Sequence, residues 1–321
     1  MFFTHPVHPR LQSFELSEKN LSDLLGLWAA LGSPKLYVEG AVGATADFPP
    51  SQRELIREAP FLLNTASQLR GLLRDRNCGA CVIEFPQGRE QDPQFVTFVS
   101  YLISSSLGTI LQETRNTNAL PMSGLDFVQI QLRSLAKYSA DGMHFDNPHL
   151  CWPLHTDRCL HQDVGDFLTV CKLKESEDPG GAIRLLHIDD FSRCDEFLQN
   201  NLAKTPLGWK GEVRFAPLSR QREARASSEV LAPVFTEDSV AGLCVRFTDH
   251  RFRRPKSVEQ SAYLDALGQA FSDEANTVPS FTLPVNAMYV VNNRWYLHGR
   301  EGFRVNSQFE RVLLRYCGNF A

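Results

Sequence analysis

Trp152-Pro153-Leu154-His155-Thr156-Asp157 is the stretch that decides how this chain reads. On an extended segment, residues two apart point to the same side. The imidazole of His155 and the carboxylate of Asp157 can therefore grip one cation without bending the backbone. A strand pattern follows the stretch, which sets the pair at the rim of a barrel. Two other His-x-Asp pairs occur, His144/Asp146 and His187/Asp189. With nine histidines in the chain a lone pair of this kind carries little weight, so local context has to discriminate. His144 and Asp146 lie in Asp141-Gly142-Met143-His144-Phe145-Asp146-Asn147-Pro148, which reads as turn and loop. His187 closes a strand, and Asp189-Asp190-Phe191 reads as an N-cap opening a helix, which would engage the carboxylate. The pattern favours His155 and Asp157.

A third donor lies far downstream. Ala287-Met288-Tyr289-Val290-Val291 reads as a buried strand that runs on to Tyr296-Leu297-His298-Gly299-Arg300. Arg311 and Arg315 follow, sharing one face if Arg311 to Tyr316 is extended. Guanidinium groups on the inner face of a barrel are costly unless anions meet them. The planar fork of arginine suits a carboxylate, at about 1.5–3 kcal/mol per charge-assisted bond. The plainer alternative is that both arginines pair with internal Asp or Glu residues. Two imidazoles and one carboxylate on one face of a cation leave positions open, which suits non-haem Fe(II) with oxygen and an organic cosubstrate.

The organisation is helical first and strand-rich later. The apolar spacing predicts helices from Leu16 to Leu31, over about 51–76, over about 93–113, and over Glu196 to Ala203. Strands are predicted at Phe127 to Arg133, Phe167 to Lys172, Ala182 to His187, Gly242 to Phe247, Ala287 to Val291 and Arg311 to Tyr316. Many unevenly spaced strands behind a helical layer point to an α+β chain with a double-stranded β-helix, or jelly-roll (cupin-like), core and flanking N-terminal helices. No Gly/Pro/Ser linker divides it, so one domain over 1–321 is expected, with 1–120 mainly helical and 121–321 the jelly-roll core.

Composition narrows the function classes. The 321 residues are 43% hydrophobic and 22% charged, and the net charge of −4 gives no global attraction to nucleic acid or acidic membranes. The basic cluster Arg246, Arg251, Arg253, Arg254 and Lys256 reads as a solvated loop with one inward arginine. Pro93 to Gln112 lacks charge, but its interspersed Ser and Thr residues mark a buried helix rather than a membrane span. Met1 to Arg10 shows no secretory pattern, so the eight cysteines are expected as reduced thiols in a cytoplasmic protein. Cys78-x-x-Cys81 leads into a strand and has no second pair, so it reads as structural.

These motifs together carry a resemblance. His155-Thr-Asp157, Gly180-Gly181-Ala-Ile-Arg-Leu-Leu-His187-Ile-Asp-Asp-Phe191, Val291-Asn-Asn-Arg-Trp-Tyr-Leu-His298-Gly-Arg300 and Arg311-x-x-x-Arg315 resemble the Fe(II)/2-oxoglutarate dioxygenases of the taurine dioxygenase and clavaminate synthase type. The run from about 120 to 321 is most similar to the carbon-starvation-induced glutarate hydroxylases. The resemblance implies His155, Asp157 and His298 as iron ligands, Arg311 for the distal carboxylate of 2-oxoglutarate, and Arg315 for an acidic group of the substrate. His187 becomes structural. Gln129 and Gln131, on the polar face of their strand, are further substrate-contact candidates, with solvent exposure as the plain alternative.

The implied cofactors are Fe(II), 2-oxoglutarate as cosubstrate and O2, with ascorbate stimulatory. The implied reaction hydroxylates an unactivated sp3 carbon of a small carboxylic acid, glutarate-like, and yields succinate and CO2. Keeping Asp157 leaves no room for a chloride ligand, so hydroxylation is favoured over halogenation. A free amino acid such as lysine is the alternative substrate. A non-catalytic jelly-roll that binds an anion or a partner protein is the alternative of another class. Partners are thus small molecules, without nucleic acid or membrane, and relatives are often homo-oligomers. One departure stands out: the chain has Ile183 where many relatives place a Ser or Thr that helps bind the cosubstrate carboxylate.

Overall fold

Alternating burial along the strands builds two facing sheets. The computed structural model describes residues 2–33, 59–85, 92–111, 126–131, 151–159, 161–175, 180–209, 230–248, 257–304 and 310–321. The strands are β1 (Phe2–Thr4), β2 (Leu11–Glu15), β3 (Ala80–Glu84), β4 (Gly108–Ile110), β5 (Asp126–Gln131) and β6 (Trp152–His155). They continue with β7 (Phe167–Glu175), β8 (Ile183–His187), β9 (Leu207–Trp209), β10 (Val230–Ala232), β11 (Phe235–Asp238) and β12 (Gly242–Val245). The last are β13 (Ser280–Phe281), β14 (Ala287–Asn292), β15 (Tyr296–Arg300) and β16 (Glu310–Phe320). The larger sheet runs β1-β2-β3-β14-β7-β16-β4, with β5 also on β16, and the smaller runs β13-β8-β15-β6. Among the described residues the two sheets do not join into a closed ring, so the jelly-roll is open.

Period-two alternation sends one set of side chains between the sheets. Val82, Leu168, Val170, Tyr289 and Val291 from the larger sheet meet Leu185, Phe281 and Tyr296 from the smaller. The opposite set, Ile83, Cys171, Met288, Val290, Leu314 and Tyr316, packs under helices α1 (Glu18–Ala30), α2 (Pro60–Leu73) and α3 (Pro93–Leu107). The outer face of the smaller sheet, with Leu154, Leu186 and Leu297, is covered by α5 (Val258–Ala275) and by Phe191 and Phe197, the latter on the short α4 (Cys194–Leu198).

Capping chemistry explains several boundaries. Ser17 accepts from the Asn20 N–H at 3.1 Å and opens α1. Pro60 starts α2 at a position where its missing N–H costs nothing. The helix α3 stops at Gly108, short of the predicted end, because the chain turns into β4 to pair with the end of β16. Its polar residues are satisfied within the helix: Thr97 donates to Pro93 O (2.7 Å), Ser100 to Val96 O (2.8 Å) and Ser104 to Ser100 O (2.8 Å). Among the described residues no helix is long and apolar enough to cross a membrane. Residues 1–120, expected as mainly helical, also contribute β1 to β4 to the larger sheet.

The His187 motif is structural, although not as its carboxylates suggest. His187 itself caps the turn Ile188–Asp190, its Nδ1 accepting from the Asp189 N–H at 3.1 Å. That frees Asp189 and Asp190 to pair with Arg76 (Nε–Oδ2 2.7 Å) and Arg10 (Nε–Oδ2 2.6 Å). Burial against Trp295 and Tyr296 pushes the His187 imidazole down to about 4. The unfolded chain then takes up a proton near pH 6.5 that the folded chain refuses. Stability is therefore unchanged above that pH and is lost as pH falls from about 6.5 towards about 4, by up to roughly 3 kcal/mol. Urea titrations of wild type and His187→Phe across this window check the prediction: the variant should show a shallower fall, and an identical fall would count against it.

Candidate metal centre

The strands β6 and β15 pair antiparallel, and their register sets His298 opposite His155. A register shift follows between His298 and Arg300, where Gly299 crosses the backbone of Trp152. A Cβ built on Gly299 would stand 2.6 Å from the carbonyl oxygen of Trp152. Gly299→Ala is therefore expected to push β15 away from β6 and part the two histidines, weakening metal binding while every donor remains. Overpacking of this kind costs about 1–3 kcal/mol. Titration with a divalent metal should show lowered affinity, and unchanged affinity would show that this close approach does not hold the site.

Three donors converge there. His155 Nε2 lies 3.8 Å and His298 Nε2 4.0 Å from the same Asp157 oxygen, Oδ1. One ligand atom from each residue lies within 4.8 Å of those of the other two, and the imidazole centroids are 4.2 Å apart. His155 Nδ1 is 2.9 Å from Pro153 O, an acceptor that suits a proton on Nδ1, while Nε2 lies on the cluster side and accepts a long 3.4 Å bond from the Trp152 indole N–H. Burial, with His155 adding to it, pushes His298 down to about 3, so it is a neutral imidazole, the form that ligates. Two imidazoles and one carboxylate fit a divalent cation of the borderline class. The pair His144/Asp146 lies outside the described residues.

The surroundings hold Asp157 from three sides. Asn293, buried at the end of β14, accepts from the Asp157 N–H (3.1 Å) and donates to the Asp157 carbonyl (3.2 Å) and to Val164 O (2.8 Å). Thr156 is locked to Phe247 by bonds in both directions, 2.7 and 3.0 Å. Arg246 donates to His161 O (3.0 Å) and Gln162 O (3.3 Å), and so ties down the turn after the cluster. It is the inward arginine of the basic stretch; 251–256 lie outside the described residues. Sequence reasoning did not single out Asn293 or Thr156, since an amide beside a strand end is an ordinary surface pattern.

The arginines share the inner face of β16 as expected, yet both meet carboxylates of the chain itself. Arg315 Nη1 is 2.9 Å from both oxygens of Asp157, so it grips a member of the cluster. Arg311, buried, pairs with Glu175 and donates to Gly181 O (2.9 Å) and Gly180 O (2.8 Å). Gly181, at φ +68°, leaves room that a Cβ would take: it would lie 2.1 Å from Phe303 Cε1 and 3.0 Å from Arg311 Nη1. Arg300 stands over Phe303 at 4.2 Å, and burial with Arg311 nearby lowers it to about 10. The strand of Gln129 and Gln131 pairs with β16, Gln129 opposite Val312 and Gln131 opposite Glu310, while Ile130 and Asp126 stand opposite Arg311 and Arg315. The side chains of β5 lie outside the described residues. Cys78 and Cys81 are both buried, and burial raises both thiols, the setting of inert cysteines.

The fold is that of the non-haem iron oxygenases. Asparagine oxygenase, solved with Fe(II), 2S,3S-3-hydroxyasparagine and succinate, superposes with a TM-score of 0.61 at 16% identity, covering 96% of this chain and 94% of that one. The non-haem iron oxygenase OrfP, solved with Fe and α-ketoglutaric acid, gives 0.60 at 17%, covering 95% and 93%. The chain belongs to the CsiD family, whose family model matches residues 61–320. Among curated proteins it is similar to the glutarate 2-hydroxylases of Klebsiella pneumoniae (strain 342), 29% identical over 232 residues, and of Salmonella typhimurium (strain LT2), 28% identical over 232 residues. These alignments cover 72% of this chain and 64% of each relative, so the chain spans less than two thirds of their length.

Proposed function

We propose that this chain is an Fe(II)/2-oxoglutarate-dependent oxygenase that hydroxylates an sp3 carbon of a small carboxylic acid, with a glutarate-like dicarboxylate as first candidate. The observation that carries the reading is the convergence of His155, Asp157 and His298 at the mouth of a jelly-roll whose inner face presents Arg311 and Arg315. Similarity to glutarate 2-hydroxylases supports the dicarboxylate. Bound Fe(II), with 2-oxoglutarate and O2, supplies the chemistry: insertion of one oxygen atom into a C–H bond, coupled to conversion of the cosubstrate to succinate and CO2.

The chain's own part is positional. His155, Asp157 and His298 would hold the metal on one face and leave the other open. Asn293 and Thr156 fix the backbone that carries Asp157. Arg315 would steady the Asp157 carboxylate, and an acidic group of the substrate that approached this face would meet the same guanidinium. Arg311 would take the distal carboxylate of the cosubstrate in a pocket where burial strengthens the ion pair. The eight cysteines, none of them joined to another in a disulfide, fit a reducing, cytoplasmic setting.

A free amino acid is the second reading. Its support is that the solved neighbours were captured with hydroxyasparagine and with hydroxylated arginine. Release of succinate from 2-oxoglutarate by iron-loaded protein with ascorbate and O2, against a panel of dicarboxylates and amino acids, separates the two. Stimulation by glutarate or a homologue is expected. Stimulation by an amino acid alone would replace the first reading with the second, and Fe(II) binding without turnover on any acid would favour a non-catalytic binding protein.

A further inference from the structure

On the inner face of the larger sheet, one carboxylate of the chain stands between two buried cations. Glu175 Oε2 accepts from Lys172 Nζ at 2.7 Å, and Oε1 pairs with the Nε and Nη2 edge of Arg311. All three side chains are secluded: Lys172 is 2%, Arg311 4% and Glu175 10% exposed. A local irregularity of the sheet creates this arrangement. Leu313 pairs with Lys172 but Val312 pairs with Lys174, so β7 carries one extra residue at Leu173. Strict alternation would send Glu175 to the face opposite Lys172; the bulge returns it to the same side.

The Nε–Nη2 edge of a guanidinium is one of the two edges that can take a carboxylate with two parallel bonds. In Arg311 that edge is held by Glu175, while Nη1 and Nη2 also donate to the carbonyl oxygens of Gly181 and Gly180. An incoming carboxylate therefore meets an edge already taken. Two carboxylates side by side in a buried pocket repel strongly, so one has to leave. Glu175 is the last residue of β7, and moving its side chain disturbs no ladder hydrogen bond. The exchange trades one carboxylate for another against the same two cations.

We propose that Glu175 is a displaceable stand-in for the distal carboxylate of the dicarboxylate cosubstrate, and that Lys172 is the second anchor of that carboxylate. This rests on the proposed function for the identity of the ligand. It also accounts for Ile183: the hydroxyl expected there is replaced by an ammonium reaching the same carboxylate from β7. Lys172 and Glu175 are positioning and binding residues, and neither belongs to the His155, Asp157 and His298 cluster.

The test measures binding of 2-oxoglutarate and of glutarate to metal-free protein, read as the rise in unfolding temperature with ligand concentration. Metal-free protein keeps this result separate from the proposed function, whose failure would appear as absent Fe(II) binding or turnover. Glu175→Gln is expected to bind the dicarboxylates about tenfold more tightly than wild type, because no internal competitor remains, and Lys172→Met about tenfold more weakly. If Glu175→Gln does not fold, Glu175→Asp, too short to reach both cations, takes its place with the same expected direction. Weaker or unchanged binding in the Glu175 variant would overturn the proposal and make Glu175 a permanent partner that orients Arg311. Unchanged binding in Lys172→Met would remove Lys172 from the site.

Discussion

Asp157→Ala is expected to abolish Fe(II) binding and succinate formation together. The loss should exceed about 100-fold, since removing even an outer partner of a metal ligand costs roughly 10–100-fold. The carboxylate carries the negative charge of the donor set and is the oxygen from which both His155 Nε2 and His298 Nε2 stand about equally distant, 3.8 and 4.0 Å. Without it, two imidazoles remain beside Arg315, whose charge then faces the cation with nothing between them. Equilibrium binding of Fe(II) under argon, alongside succinate release, checks the expectation. Retained stoichiometric iron with lost turnover would move Asp157 from ligand to substrate contact.

Arg311→Lys has the second large effect. Lysine keeps the charge but not the fork, and cannot at once hold a carboxylate edge and the two carbonyl oxygens of Gly180 and Gly181. Loss of one or two charge-assisted bonds, at about 1.5–3 kcal/mol each, corresponds to a rise of at least tenfold in KM for 2-oxoglutarate. The metal donors lie elsewhere, so Fe(II) affinity should change little. Steady-state kinetics with varied 2-oxoglutarate, beside an iron titration, read the two quantities. An unchanged KM would leave Arg311 as a purely structural partner of Glu175.

Much of this was legible in the sequence, and the reasons are local. Arg311 and Arg315 share the inner face of β16 because the period of a strand is two, whereas β6 ends at His155 and Asp157 reaches the same cluster from the turn beyond it. Context favoured His155/Asp157, which converge with His298, over His187/Asp189, where His187 proved to be the cap that Asp189 was expected to be. What stayed hidden depends on departures from regular spacing or on contacts far apart in sequence. The Lys172/Glu175 pair requires a bulge that no pattern announces. The grip of Asn293 on Asp157 spans 136 positions. The helix α5 carries a readable signal, Ser257 as cap and Tyr263, Leu264, Leu267 and Phe271 buried on one face, directly after the basic stretch. The predicted end of α3 overran because the pairing of β4 with β16 overrides helix propensity after Gly108.

The most direct test of the central claim is a crystal grown without oxygen in the presence of Fe(II) and 2-oxoglutarate, with data collected at the iron absorption edge. The account predicts one anomalous peak within bonding distance of His155 Nε2, His298 Nε2 and an Asp157 carboxylate oxygen, with the cosubstrate's distal carboxylate against Arg311. A peak elsewhere, or no peak with these three side chains still converged, would contradict it.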